Sequence, residues 1–429
     1  MTIETFINEL IFIAYMKEAI QRWNVWWENP QEIQKFIGTE RTTLSHILSE
    51  LKIPHIKDII GVRRCGKTVL MYQIISKMIE QNIKPENILY LNFDDPELME
   101  LEETIKTSLH INPDISHVFL DEIQNVKEWE RIIRVYYDRK KFKQIFVSGS
   151  SASLISRDVG RTLTGRHVTT ILTPFSFKEY LIKQGIEKPA DISNREKVMH
   201  YLEIYLKNGG FPETIGTDDL ASKTILVDLY NDILSRDIVS RFDADLDIVK
   251  KIGYYLMTNM GSLFSYNSVA RALNLHYDTV KKYVPYFEEV FLFYVVPFFS
   301  WKIKSTVKKD MKCYSIDTGI RNAVSFKFSG DLGKLAENLV LIELKRRCKE
   351  VFFWKEKREV DFIIREGSDL IAMNVTYTND VSKREIEGLL EFKERYKNAE
   401  LVMLTKELEQ TDNNKVKYIP LWKWLTKKI

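Results

Sequence analysis

From residue 56 to about residue 180, short apolar runs alternate with stretches of helical spacing. That pattern predicts a parallel sheet covered by helices. The first run is Ile56-Lys57-Asp58-Ile59-Ile60, and residues 88–93 form a second that stops at Asp94-Asp95-Pro96. Residues 116–120 lead into Asp121-Glu122, and residues 144–147 end in Ser148-Gly149-Ser150. Residues 1–50 read as helix with a break at Trp26-Trp27-Glu28-Asn29-Pro30, because Asn-Pro favours a turn. The aromatic pair is suited to docking this arm on the sheet domain or on a neighbouring subunit, or simply to core packing. Residues 185–250 are amphipathic and helical, broken at Gly209-Gly210-Phe211-Pro212. Asp232, Arg236, Asp237 and Arg241 recur there at helical intervals, as subunit contacts or as i,i+4 pairs on a solvated face.

The turn after the first run is Gly61-Val62-Arg63-Arg64-Cys65-Gly66-Lys67-Thr68, followed by Val69 and an apolar helix. Strand, glycine loop and helix stand in the order of a Walker A site. Two glycines let backbone N–H groups curl around phosphate oxygens, and the helix adds its positive end. Lys67 is placed for the outer phosphates of ATP and Thr68 for Mg²⁺. The run ending in Asp121-Glu122 has Walker B form. Asp121 is the second Mg²⁺ group, and Glu122 the carboxylate that orients and polarises the attacking water. Ser148, at the end of the next run, is placed for the γ-phosphate or its water. Arg157, Arg161 and Arg166 follow within ten residues, and Arg166 is the candidate arginine finger toward a neighbouring subunit. Cys65, inside the loop, is a candidate for oxidation.

Gly149-Ser150-Ser151, Leu163-Thr164-Gly165-Arg166 and the stretch Leu172-Thr173-Pro174-Phe175-Ser176-Phe177-Lys178-Glu179-Tyr180 resemble archaeal and bacterial AAA-type ATPases of the AAA+ superfamily. So do Tyr205-Leu206-Lys207-Asn208-Gly209-Gly210-Phe211-Pro212-Glu213 and Asp232-Ile233-Leu234-Ser235-Arg236-Asp237-Ile238. The resemblance runs from about residue 56 to 425. It implies a nucleotide-dependent homo-oligomer, suggested to be a hexamer, with a helical lid, a winged helix and a nuclease-like C-terminal domain. The expected fold class is α/β: a P-loop AAA+ ATPase domain with a parallel sheet, then lid, winged helix and nuclease-like α/β domain. The expected boundaries are 1–50 for the helical arm, 51–180 for the ATPase core, 181–250 for the lid, 251–329 for the winged helix and 330–429 for the last domain.

The later segments carry chemistry of their own. Residues 265–273 form a capped short helix, Asn274-Leu275 turn, and His276 starts a second helix, which is helix–turn–helix spacing. In such a unit the second helix enters the major groove, so Tyr277, Thr279, Lys281 and Lys282 become DNA candidates, with Lys302 and Lys304 in a basic wing. The alternative is a winged helix used for protein packing. Further on, Glu337 lies on a helix, Asp361 at the start of a strand and Asn374-Val375-Thr376 on a second strand. The order resembles a PD-(D/E)-x-K nuclease core. That chemistry needs clustered carboxylates for a divalent ion and a lysine beside the water. Here the third motif has lost both its acid and its lysine, so binding without cleavage is expected.

Composition adds limits. At 429 residues the chain suggests about three domains. A net charge of +3 gives no general affinity for polyanions, so a basic surface must be local. Cys65, Cys313 and Cys348 are far apart and fit a reducing cytosol rather than a disulfide scaffold or zinc site. The N-terminal apolar stretch is short and carries Asn8 and Glu9, and no run reaches about 18 apolar residues, so a cytoplasmic protein with no membrane partner is expected. The expectation is an oligomeric, Mg²⁺-dependent ATPase that remodels or translocates DNA. Its competitors are a nucleotide-gated DNA-binding switch with slow hydrolysis and an ATP-dependent nuclease.

Overall fold

The computed structural model describes residues 14–98, 100–152, 165–301, 310–325, 332–347 and 349–427. The chain divides into two units, residues 1–61 with 66–172, and residues 62–65 with 173–429. The N-terminal arm thus groups with the sheet, and residues 173–180 pack with the second unit.

The first unit is built on five strands: β1 (Ile56–Ile60), β2 (Ile88–Asn92), β3 (His117–Asp121), β4 (Gln144–Gly149) and β5 (His167–Ile171). They lie in the order β2-β3-β4-β1-β5, and every neighbouring pair is parallel. All five side chains of both β1 and β3 are buried, as in a sheet covered on both faces. The helix Lys67–Glu80 buries Leu70, Met71, Ile74, Ile75 and Met78. Because β4 is inserted between β1 and β3, the carboxyl ends of three adjacent strands carry the glycine loop, Ser148 and Asp121. Open α/β sheets bind ligands at such ends.

β2 is an edge strand, and the arm covers it. The indole N–H groups of Trp26 and Trp27 both donate to Ile88 O, at 3.2 and 2.8 Å. The Asn24 amide accepts from Tyr90 N at 2.7 Å and donates to Tyr90 O at 2.9 Å. A side chain thereby satisfies peptide groups that would otherwise template another strand. Of the two docking readings for the tryptophans, this is the intramolecular one. Among its described residues the arm is less helical than its spacing suggested: residues 14–23 are helical, but Val25–Trp27 and Pro30–Lys35 are short 3₁₀ helices before the helix Leu44–Ser49.

In the second unit, Ser176 and Glu179 form a reciprocal cap on the helix Phe177–Lys183. The helices Arg195–Asn208, Asp219–Asp232 and Leu246–Thr258 follow, with a wide-turn continuation at Ile233–Val239. The break at Gly209-Gly210 is set by Asp317. Gly209 has φ +77°, and a Cβ there would stand 2.0 Å from Asp317 Oδ1, while Gly210 N donates to Asp317 Oδ2 at 2.7 Å. After Leu246–Thr258 come β6 (Leu263–Phe264), the helices Tyr266–Leu273 and Tyr277–Glu289, β7 (Phe293–Val296) and β8 (Met311–Ser315). These strands form an antiparallel sheet in the order β6-β8-β7.

The last part opens with the helix Leu332–Arg346. Six strands follow: β9 (Glu350–Lys355), β10 (Glu359–Glu366), β11 (Asp369–Val375), β12 (Glu400–Thr405), β13 (Gln410–Thr411) and β14 (Val416–Pro420), in the order β13-β14-β12-β11-β10-β9. β9, β10 and β11 are antiparallel, whereas β11–β12 and β12–β14 are parallel. Among the described residues, no helix is long and apolar enough to cross a membrane.

Candidate active site

The loop after β1 is shaped by backbone geometry. Arg64 has φ +61° and Gly66 φ +101°, left-handed positions that turn successive N–H groups toward one side. The helix Lys67–Glu80 begins directly behind it. Lys67 is buried, with its ammonium donating to Gly61 O at 3.2 Å and lying 3.6 Å from Glu122 Oε1. Cys65, the candidate for oxidation, is wholly buried, as an ordinary loop position would be.

Thr68 and the end of β3 meet. Thr68 Oγ1 donates to Asp121 Oδ2 at 2.6 Å. The same oxygen accepts from Tyr90 Oη at 2.7 Å, and Ser148 Oγ donates to Asp121 Oδ1. Ser148 also accepts from Glu122 N at 3.1 Å. Burial and the neighbouring Glu122 charge raise the Asp121 pKa, and the Ser148, Thr68 and Tyr90 donors oppose that rise. Glu122 sits at φ +51°, and its carboxylate also accepts from Gln124. The hydroxyl of Thr68 and the carboxylate of Asp121 are hard oxygen donors of the kind Mg²⁺ takes, so the residues present fit that ion. Ser148, the candidate for the γ-phosphate or its water, is fully buried, with its hydroxyl donating to the Asp121 carboxylate and accepting from the Glu122 backbone N–H. Tyr90 was missed because it reads as one more apolar position in β2.

The other loop residues have partners as well. Arg63, which groups with the second unit, donates to both oxygens of Asp237, at 3.0 and 2.8 Å. Arg64 reaches Glu213 at 3.1 Å and Asp232 at 3.2 Å. Asp237 therefore has an intramolecular partner far along the chain, while Asp232 also lies 3.8 Å from Arg236 in the i,i+4 arrangement. Val62 is buried and Val69 half-buried. Arg166 precedes β5 and its Nε donates to Asp138 at 3.1 Å. Arg157 and Arg161 lie outside the described residues.

In the second unit, Ser265 and Ser268 cap the helix Tyr266–Leu273, and Asn274 ends it at φ +52°. On the next helix Tyr277, Lys281 and Lys282 are exposed, Thr279 is half-buried, and Lys281 lies 5.9 Å from the Tyr277 ring centre. Lys302 and Lys304 lie outside the described residues.

Glu337, Asp361 and Asn374 come together, but around a lysine. Lys312, from β8, is 1% exposed and its ammonium lies 2.9 Å from Glu337, 2.8 Å from Glu359 and 3.4 Å from Asp361. Burial works against that charge, but Glu337, Tyr314, Asp361 and Glu359 outweigh it and hold the Lys312 pKa well above the usual lysine value. Burial and the Glu337 charge raise the Asp361 pKa. Asn374 accepts from Asp361 N at 2.9 Å and donates to Glu385, so it braces the cluster. Among the described residues, no group of three or more acidic, histidine or cysteine side chains is arranged to hold a metal ion. Lys312 was missed because a single lysine in a short strand beside a basic segment carries no signal.

Comparison with known proteins is consistent with the first unit's geometry. An AAA domain model matches residues 54–181, and two models for domains of unknown function, DUF8612 and DUF4143, match residues 199–331 and 332–424. An uncharacterized protein of Haemophilus influenzae is 30% identical over 384 residues, covering 86% of this chain and 94% of that protein. Uncharacterized protein MJ1544 of Methanocaldococcus jannaschii is 31% identical over 398 residues, covering 86% of this chain and 88% of that protein. The chain belongs to the family of these two proteins. Within it, residues 54–181 of this member form an AAA domain. Among solved structures, AMPPCP-bound DnaA from Aquifex aeolicus is 18% identical, with 57% of this chain and 86% of that chain covered, at a TM-score of 0.30.

Proposed function

We propose that this family member is an oligomeric AAA+ ATPase that hydrolyses ATP with Mg²⁺ and uses the energy to remodel or translocate DNA in the cytoplasm. The observation that carries the reading is the convergence of Lys67, Thr68, Asp121 and Glu122 at the carboxyl end of one parallel sheet. Mg²⁺ would neutralise charge on the phosphate oxygens, held by Thr68 and Asp121. The backbone of Gly61, Val62, Arg63, Arg64, Cys65 and Gly66 would cradle the phosphates, with Lys67 on the outer ones. Glu122 would orient and polarise the attacking water. Its present position beside Lys67 is a resting arrangement in which the two charges hold each other until phosphate takes over the lysine. Arg166 would serve the site of the next subunit in a ring, hexameric by family resemblance, exchanging Asp138 for phosphate.

The DNA part of the proposal rests on the second unit. Helix, short strand, two helices joined by a tight turn and two further antiparallel strands follow the order of a winged helix, with Lys281 and Lys282 exposed on the second helix of the pair. The helix, antiparallel β9-β10-β11 and parallel β12 follow the order of a nuclease-like core. The Lys312 ammonium sits between Glu337, Glu359 and Asp361, neutralising the carboxylates a divalent ion would need, which favours a role in binding or structure over cleavage.

The test is steady-state phosphate release with and without double-stranded or branched DNA. Stimulation by DNA supports remodelling or translocation. A rate near zero in both conditions, with nucleotide bound, replaces that reading with a nucleotide-gated switch. Metal-dependent nicking abolished by Glu337→Gln would restore the nuclease reading.

A further inference from the structure

We propose that Tyr90 is a positioning residue for the Asp121 carboxylate, so that the N-terminal arm belongs to the hydrolytic site. The inference rests on the ATPase reading above, which assigns Thr68 and Asp121 to Mg²⁺.

Asp121 is fully buried, and a buried carboxylate depends on its donors. It has three: Thr68 and Tyr90 on Oδ2, and Ser148 on Oδ1. Thr68 is the donor that must turn away, because its own oxygen is needed at the ion. Tyr90 has no such second task and little freedom to move. Its ring centre lies 4.9 Å from Tyr72 and 6.3 Å, edge to face, from Trp26. Its peptide N–H and C=O are both bonded to Asn24 of the arm. The hydroxyl therefore keeps its aim at Asp121 whichever way Thr68 points. A donor that holds a ligand's orientation before and after the ion arrives spares reorganisation on binding, and loss of such an outer partner typically costs about 10–100-fold in metal affinity.

The test is Tyr90→Phe, which keeps the ring and removes the donor. The readout is the Mg²⁺ concentration giving half of the Mg²⁺-dependent gain in affinity for a fluorescent ADP analogue. No turnover is required, so a failure of the ATPase reading stays separate from a failure of this one. We expect that midpoint to rise by about tenfold, with ADP affinity in EDTA within twofold of wild type. A Tyr90→Phe midpoint within twofold of wild type overturns the proposal. A structure of the wild type with ADP and Mg²⁺ gives an arm that needs no variant to fold. Tyr90 Oη within hydrogen-bond distance of Asp121, with Thr68 turned away, supports the proposal, and a Tyr90 that has left Asp121 overturns it.

Discussion

Thr68 donates its hydroxyl to the Asp121 carboxylate at 2.6 Å, joining the end of the glycine loop to the end of β3. The pair holds in contact the two oxygen groups that the ATPase reading assigns to one ion. Replacing either should separate nucleotide affinity from ion dependence. For Thr68→Ala and Asp121→Asn we expect ADP affinity in EDTA to stay near wild type and its strengthening by Mg²⁺ to be lost. Calorimetric titration with and without Mg²⁺ checks this, and full strengthening in both variants would remove the pair from ion binding.

His117, at the start of β3, gives a pH dependence. Burial first, and then Lys143, lower its pKa to about 4, against 6.5 for an unperturbed histidine. The folded state therefore favours the neutral ring. Between pH 6.5 and about 4 the unfolded chain binds the proton more readily, so the contribution of His117 is fully present above 6.5 and is lost as the pH falls toward 4. Urea unfolding followed across that window should show a steeper loss of stability for wild type than for His117→Gln. Parallel curves would contradict the assignment.

Lys312 is the positive member of a buried cluster with Glu337, Glu359 and Asp361. Lys312→Met leaves the acids uncompensated and should destabilise the second unit by about 3–5 kcal/mol. Lys312→Met with Glu337→Gln removes one charge of each sign and should recover part of the loss. Denaturant unfolding checks the pair of variants, and a single variant as stable as wild type would show the ammonium to be dispensable.

The exposed Lys281 and Lys282 carry the DNA prediction. If both meet phosphates, binding should weaken steeply with salt, and the double alanine variant should lower the log–log salt slope by about 0.9 per lysine. Fluorescence anisotropy at several salt concentrations measures that slope. An unchanged slope would point this helix toward protein contacts instead.

What the sequence made legible followed strong local physics. The glycine loop, the apolar run into Asp121-Glu122 and the capped helix–turn–helix each combine a periodic pattern with a residue type that admits few alternatives. β5 escaped because His167-Val168-Thr169-Thr170-Ile171 is a half-exposed edge strand with no apolar run. Spacing points Ser148 toward the γ-phosphate or its water, and it does not reveal that the hydroxyl also bonds the Asp121 carboxylate and the Glu122 N–H. Tyr90, Asn24 and Lys312 were illegible for one shared reason: their roles come from partners between 25 and 66 positions away. No local period records such pairings.

The central claim is that the loop at residues 61–68 and the acids after β3 form an ATP-hydrolysing site. Its most direct test is phosphate release from ATP with Mg²⁺ by wild type and by Glu122→Gln, with ATP binding measured alongside. The account predicts that wild type turns over, and that Glu122→Gln binds ATP within a few-fold of wild type while its turnover falls by about 10²-fold or more. Equal turnover in the two proteins would contradict it.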